Sequence, residues 1–349
     1  MRKLRRVLYF CLALCLVAGL FVGAGSTKAQ AADTINLTMA HHHAVGSLTD
    51  DYCNDFAKLV SEKTDGKVVV TVYPGAQLGT EQEVADGLLM GTQQLGAITA
   101  GGCYVDTVPG FGVETLPFMA ADWDELWYIF NESGVGDALN ERLIDKGARI
   151  LGWCPFGGRH MIFVSKDVTS YKEIAGLNMR CPESTLYTEM FRALGASPTP
   201  ITWSDCYTAL QTKVVDGMET PMSSMVDMNF AEVSKYCLMT NHMWTCFTLA
   251  VNEALFESLP EEYQNALVEA GKEATVNCYA KQRDAETAAI AACEEKGITF
   301  NHLSEEEQEE LPGIFDQMKA DWLAKVDGRQ EIYDLFQQAR EDFAAQKAA

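Results

Sequence analysis

From Pro260 the chain runs about 37 residues to Lys296 without another proline, rich in Ala, Glu and Lys, broken by one glycine, Gly271, and stopped at Gly297. That run predicts a single continuous helix. The mean α-helix of globular proteins has about 11–12 residues, and at about 1.5 Å per residue this one would measure roughly 50 Å, more than the diameter of one small domain. A helix of that length has to pass along two lobes. The length of the chain agrees, because 349 residues at roughly 100–200 per domain give two domains.

The rest of the chain alternates short β-type runs with helical ones, the pattern of α/β lobes. Ile35–Ala40, Lys67–Tyr73 and Leu95–Thr99 read as strands, and apolar residues at Tyr52, Phe56 and Leu59 mark one face of a helix that begins at Leu48. Thr80-x-x-Glu83 is a capping box opening a helix to about Met90, and Asp122-x-x-Glu125 starts another. Arg149–Trp153 is again a strand. A second unit begins near Phe156–Gly157–Gly158, with strands at Met161–Ser165, Leu177–Arg180 and Ser197–Ile201. Its helices fall at about Ser184–Leu194, Trp203–Thr212 and Pro221–Val233, with a short capped one from Ser170. Cys246–Val251 reads as a strand returning to the first unit, and Ser304–Val326 and Gln330–Gln346 as closing helices.

The first thirty residues are of another kind. Arg2, Lys3, Arg5 and Arg6 precede an apolar run from Val7 to Ala24, and Ala29–Gln30–Ala31 follows. These are the n-region, h-region and A-x-A site of a secretory signal peptide spanning residues 1–31. The apolar run approaches the length of a membrane span, but the site directly after it favours cleavage. Cys15 is not a lipoprotein site, since Leu14 before it is bulky and apolar sequence continues beyond it. The chain carries −22; the leader holds five basic residues and no acid, so its removal leaves −27. Such a surface repels nucleic acid and anionic lipid, and any anion site must be built from local, desolvated cations. Nine of the eleven cysteines lie beyond the leader, scattered singly and without a C-x-x-C. An odd count in a chain large enough for an ordinary core predicts mostly free, buried thiols, with one disulfide left open.

Catalytic and cofactor signatures (G-x-S-x-G, H-E-x-x-H, G-x-x-x-x-G-K-[ST], or G-x-G-x-x-G after a strand) are absent, so neither enzyme nor cofactor is expected. His41–His42–His43 invites a metal, but consecutive residues on an extended segment point to alternate faces and cannot converge on one ion. The triplet reads instead as a loop at the carboxyl end of a strand, where α/β lobes bind ligands, with His42 facing a cleft. Arg159 follows two glycines, and Arg180 stands just before Cys181–Pro182–Glu183, each at or near a strand end. A guanidinium pairs bidentately with a carboxylate; spacing alone leaves that reading level with a surface ion pair.

The run Gly176–Glu183 (GLNMRCPE), followed by Ala193–Pro200 (ALGASPTP), resembles the "GLKxRxPxS…ALGAxPxP" core of TRAP-type solute-binding proteins, the extracytoplasmic receptors of tripartite ATP-independent periplasmic transporters. Trp203–Thr212, Val215–Pro221 (VDGMETP), Tyr73–Gly79 (YPGAQLG), Leu116–Pro117–Phe118 and Thr240–Asn241–His242 also look like landmarks of the family, in order over nearly the whole chain beyond the leader. The resemblance implies a two-lobed α/β periplasmic-binding-protein fold with crossover strands and a long inter-lobe helix. It implies a monomeric periplasmic receptor that closes on a small organic carboxylate and docks on TRAP membrane subunits. Lobe I would comprise residues 32–156 plus 246–285, and lobe II residues 157–245 plus 286–349.

By position, Arg180 matches the family arginine that binds the ligand carboxylate, and Arg159 a second arginine of some members. Trp203 falls where a ring packs on the ligand, Glu81 and His42 at first-lobe pocket positions, and Thr220 where sialic-acid-type members keep an asparagine. Thr220 is smaller than that asparagine, and Ala100–Gly102 supplies no acid where those members have glutamate, which weakens a sialic-acid assignment. An apolar or aromatic acid beside Trp203 and a short dicarboxylate between Arg159 and Arg180 both stay open. Two rivals on the same fold are a ligand-sensing module for a signalling receptor and a lyase using His42 and Glu81.

Overall fold

Two strands far longer than the usual five or six residues organise the molecule: β4, Ala148–Phe163, and β8, Tyr236–Asn252. They pair antiparallel from Ala148 opposite Asn252 to Phe163 opposite Tyr236. A computed structural model describes residues 34–348 of the chain; the signal-peptide reading lies outside the described residues. β4 merges two strands that the sequence reads as separate. Pro155 and two glycines look like a break, but the chain keeps its direction through a β-bulge, where the register shifts between Pro155 and Gly158. Gly157 takes φ +106° there, and a Cβ on Gly158 would lie 2.1 Å from Asn241 Oδ1 on β8. Asn241 itself has φ +46°.

The other strands join this pair from both sides. β1 (Ile35–Ala40), β2 (Val68–Tyr73) and β3 (Leu95–Ile98) lie on one side; β5 (Asn178–Cys181), β6 (Ser197–Pro200) and β7 (Gly217–Pro221) lie on the other. The order is β2-β1-β3-β8-β4-β7-β5-β6, with β9 (Thr299–His302) on the far end of β8. β1 runs parallel to β2 and β3, and β5 parallel to β6 and β7. From Ile35 onward the chain packs as one unit because sheet and helix run through both lobes.

The long helix spans Glu261–Glu295, 35 residues. Its one glycine has a packing reason. A Cβ on Gly271 would stand 2.5 Å from the Leu151 carbonyl oxygen of β4, and one on Gly152 would meet Thr275 Oγ1 at 2.1 Å. The paired glycines let helix and strand touch backbone to backbone, and Tyr52 locks the contact through a 2.6 Å hydrogen bond to Thr275 Oγ1. Among the described residues no helix is long and apolar enough to cross a membrane. The nine cysteines there are all free and buried.

Candidate functional site

The carboxyl ends of β1, β3, β5 and β6 converge on a cavity of about 680 Å³, its mouth included. This is where parallel α/β sheets present ligand sites. The loop after β1 supplies His42 and His43, the turn after β3 supplies Thr99 and Gly102, and the bulge of β4 supplies Phe156 and Arg159.

Arg180, the third residue of β5, is 3% exposed. Its Nε donates to the Ile201 carbonyl at 2.9 Å, and its guanidinium carbon lies 5.5 Å from the Trp203 ring centre. Among the described residues no carboxylate stands within ion-pair distance of it, and Glu81 acts on it only from across the cavity. Arg159 differs. It is held by Glu219 of β7, a side chain with no exposure, through Nε to Oε2 and through Nη2 to Oε1 at 2.9 Å. Burial works against the Arg159 charge, but Glu219 beside it outweighs burial and keeps it protonated well above its ordinary range. Tyr187 covers this guanidinium at 5.6 Å.

The facing wall begins with Glu81, the first residue of helix Glu81–Met90, whose N-cap is Thr80. Its Oε1 accepts from Thr99 N at 2.7 Å and Thr99 Oγ1 at 2.5 Å, and its Oε2 lies 3.7 Å from His42 Nε2. Burial pushes the Glu81 carboxyl up, opposed by Thr99 and by the two arginines. Burial, aided by His41 and Arg180, lowers His42 to about 3, and burial likewise pulls His43 well down. Both imidazoles are neutral at neutral pH. The His43 ring centre stands 5.2 Å from Trp203 and 5.4 Å from Phe156, so rings of the two walls meet.

Five residues expected from sequence, Arg180, Arg159, Trp203, Glu81 and His42, line this cavity. Thr220 is not among its lining residues. Side chains alternate along a strand; Glu219 turns toward Arg159, so its neighbour faces away, fully buried opposite His160 on β4. Sequence reasoning missed Glu219, His43, Tyr187 and Ser184. Glu219 had a signal, since it lies inside the VDGMETP run, but its partner is 60 positions away and only the β4–β7 register joins them. His41 leaves the triplet to accept or donate at 3.1 Å with Asp50, and among the described residues no group of three metal-type ligands forms.

A two-lobed α/β protein with a cationic cleft between its lobes, spanned by crossover strands, has the architecture of a solute receptor. The chain matches the profile of "bacterial extracellular solute-binding protein, family 7" over residues 39–325, and it belongs to that family. It is 30% identical over 274 residues to a solute-binding protein of Verminephrobacter eiseniae, covering 78% of this chain and 80% of the relative. It is also 30% identical over 268 residues to the C4-dicarboxylate-binding periplasmic protein DctP of Rhodobacter capsulatus, covering 75% and 80%. A TRAP periplasmic solute-binding protein from Desulfovibrio salexigens, solved with bound orotic acid, superposes with a TM-score of 0.83 at 25% identity, over 88% of this chain and 99% of that one. The family is one of transport receptors; this chain is a receptor and not an enzyme.

Proposed function

We propose that the chain is exported by cleavage after residue 31, works as a monomer in the periplasm without nucleic-acid partners, and closes two lobes on a small organic carboxylate for delivery to TRAP membrane subunits. Lobe I comprises residues 32–156 plus 246–285 and lobe II residues 157–245 plus 286–349; these joints fall within β4, β8 and the long helix. The observation that carries the reading is Arg180, a buried guanidinium without an acid, stacked against Trp203 in a cavity that both lobes line. A buried cation of this kind is complete only when an anion joins it, and the fork of arginine suits a carboxylate. The relatives point the same way: one is named for C4-dicarboxylates and another holds orotic acid, also a carboxylate.

Ligand contacts to both walls favour the closed arrangement over the open one, because only closure brings Glu81 and His42 to a head group held on Arg180. Thermal-shift screening of the mature chain against organic acids tests the reading, since a ligand that binds the folded state raises its melting temperature. At least one carboxylate is expected to give an upward shift that Arg180→Ala abolishes. A shift undiminished in that variant would remove the assignment.

A further inference from the structure

Resting on the receptor reading above, we infer that the ligand is a monocarboxylate with a flat aromatic or heteroaromatic body, bearing an N–H or O–H donor but no second charge. Three independent features of the cavity select that class.

The first is charge. Two arginines line the cavity, but the buried Glu219 carboxylate already neutralises Arg159 and takes two of its N–H donors. Arg159 retains other N–H donors that can steady a head group without adding net charge. Arg180 is therefore the one arginine of the lining without an ion-pair partner among the described residues. A second ligand carboxylate would find no unpaired cation and would face Glu81 or the exposed Glu183 at the mouth, a repulsive juxtaposition.

The second is the surface offered to the body of the ligand. His42, His43, Phe156, Tyr187 and Trp203 place five rings on one cavity. Burial keeps both imidazoles neutral, so they present π-faces and edges rather than cations. Rings packed edge-to-face or offset favour a further ring as their neighbour, and the cluster is already continuous across the two walls through His43 and Trp203.

The third is what the polar groups are already doing. A polyhydroxy chain needs a partner for every buried hydroxyl. Thr80 caps Glu83, Gln82 donates to Asp86 at 3.0 Å, Thr99 donates to Glu81, and Thr202 donates to Asp205 at 2.8 Å. Of the lining residues, His42 Nδ1, Ser184 Oγ and Trp203 Nε1 are buried without a partner among the described residues. Together with Arg180 they serve one head group and two ring heteroatoms, fewer partners than the hydroxyls of a sugar acid require. On the facing wall, Glu81 Oε2 remains available to accept from the ligand donor.

Calorimetry on the mature chain, unfolded and refolded to strip bound molecules, decides the matter with five probes: benzoate, 4-hydroxybenzoate, orotate, succinate and gluconate. Either 4-hydroxybenzoate or orotate is expected to bind at least tenfold tighter than succinate and gluconate, and benzoate weaker than 4-hydroxybenzoate. Succinate or gluconate binding as tightly as the ring acids overturns this inference and leaves the receptor reading standing. Binding of no acid at all overturns both. Glu219→Gln releases the Arg159 charge and is expected to raise succinate affinity about tenfold; an unchanged value refutes the charge argument. Should that variant not fold, Glu81→Gln reads the same site from the other wall. It is expected to narrow the gap between 4-hydroxybenzoate and benzoate about fivefold, and an unchanged gap refutes the assigned donor.

Discussion

The two walls of the cavity differ in how they carry charge. On the second-lobe wall Arg159 and Arg180 stay charged, while on the first-lobe wall His42 and His43 are held neutral and Glu81 is pushed toward its neutral form. The difference lies in the residue types. A guanidinium starts so far above neutral pH that desolvation cannot discharge it, whereas imidazole and carboxyl groups start within reach of neutrality and yield. Arginine therefore brings a permanent charge into an interior, paired with Glu219 in one case and without an ion-pair partner in the other.

Acid gives the largest test of that contrast. His42, His160 and His242 are each lowered from 6.5 to about 3 by burial. Their folded-state values lie below the unfolded one, so the stability they contribute is fully present above about pH 6.5 and is lost as pH falls toward 3. Glu114 and Glu286, raised by burial to about 7, act in the opposite direction, but only between about pH 4.5 and 7. Melting temperature should therefore fall steeply between about pH 4.5 and 3, where the buried imidazoles still titrate and Glu114 and Glu286 no longer offset them. His42→Gln should flatten that slope by at most about a quarter, since His43 is pulled down as well, and an unchanged slope would show that the first wall is not held neutral.

Next in size, Glu219→Ala leaves Arg159 buried and unpaired and should cost about 3–5 kcal/mol in chemical denaturation. Arg180→Ala, which removes a buried cation with no ion-pair partner, should leave the ligand-free protein about as stable or more so. Equal losses in the two variants would erase the distinction between the arginines. For binding, Arg180→Ala should weaken a carboxylate ligand by roughly 2–5 kcal/mol, on the order of 30- to several-thousand-fold by calorimetry. Glu81→Gln on the opposite wall should cost only about 1 kcal/mol. The smallest effect is chemical: the native thiols should resist a thiol reagent, and ligand should slow Cys103, which lines the cavity, more than the other eight.

Much of this was legible from sequence where one short segment carries its own explanation. The long helix announced itself through an uninterrupted run, and the start of the helix at Glu81 through the Thr80–Glu83 capping box. Arg180 stood out by its place at a strand end within a recognisable motif. What was not legible depended on pairing between distant segments. Pro155–Gly158 looked like a boundary, and only β8 alongside shows it to be a bulge within one strand. Glu219 and Thr220 are neighbours in sequence, yet the register of β7 against β4 sends one to Arg159 and the other away from the cavity.

The register shifts of β4 against β8 have a mechanical consequence. At those points the rungs between the strands are already missing, so flexing there breaks none of them. Opening and shutting then resembles a leaf spring under load rather than a torn seam. Substitutions at Gly157 and Asn241, which are not themselves lining residues, would set the spring's stiffness and with it how firmly a given solute is held.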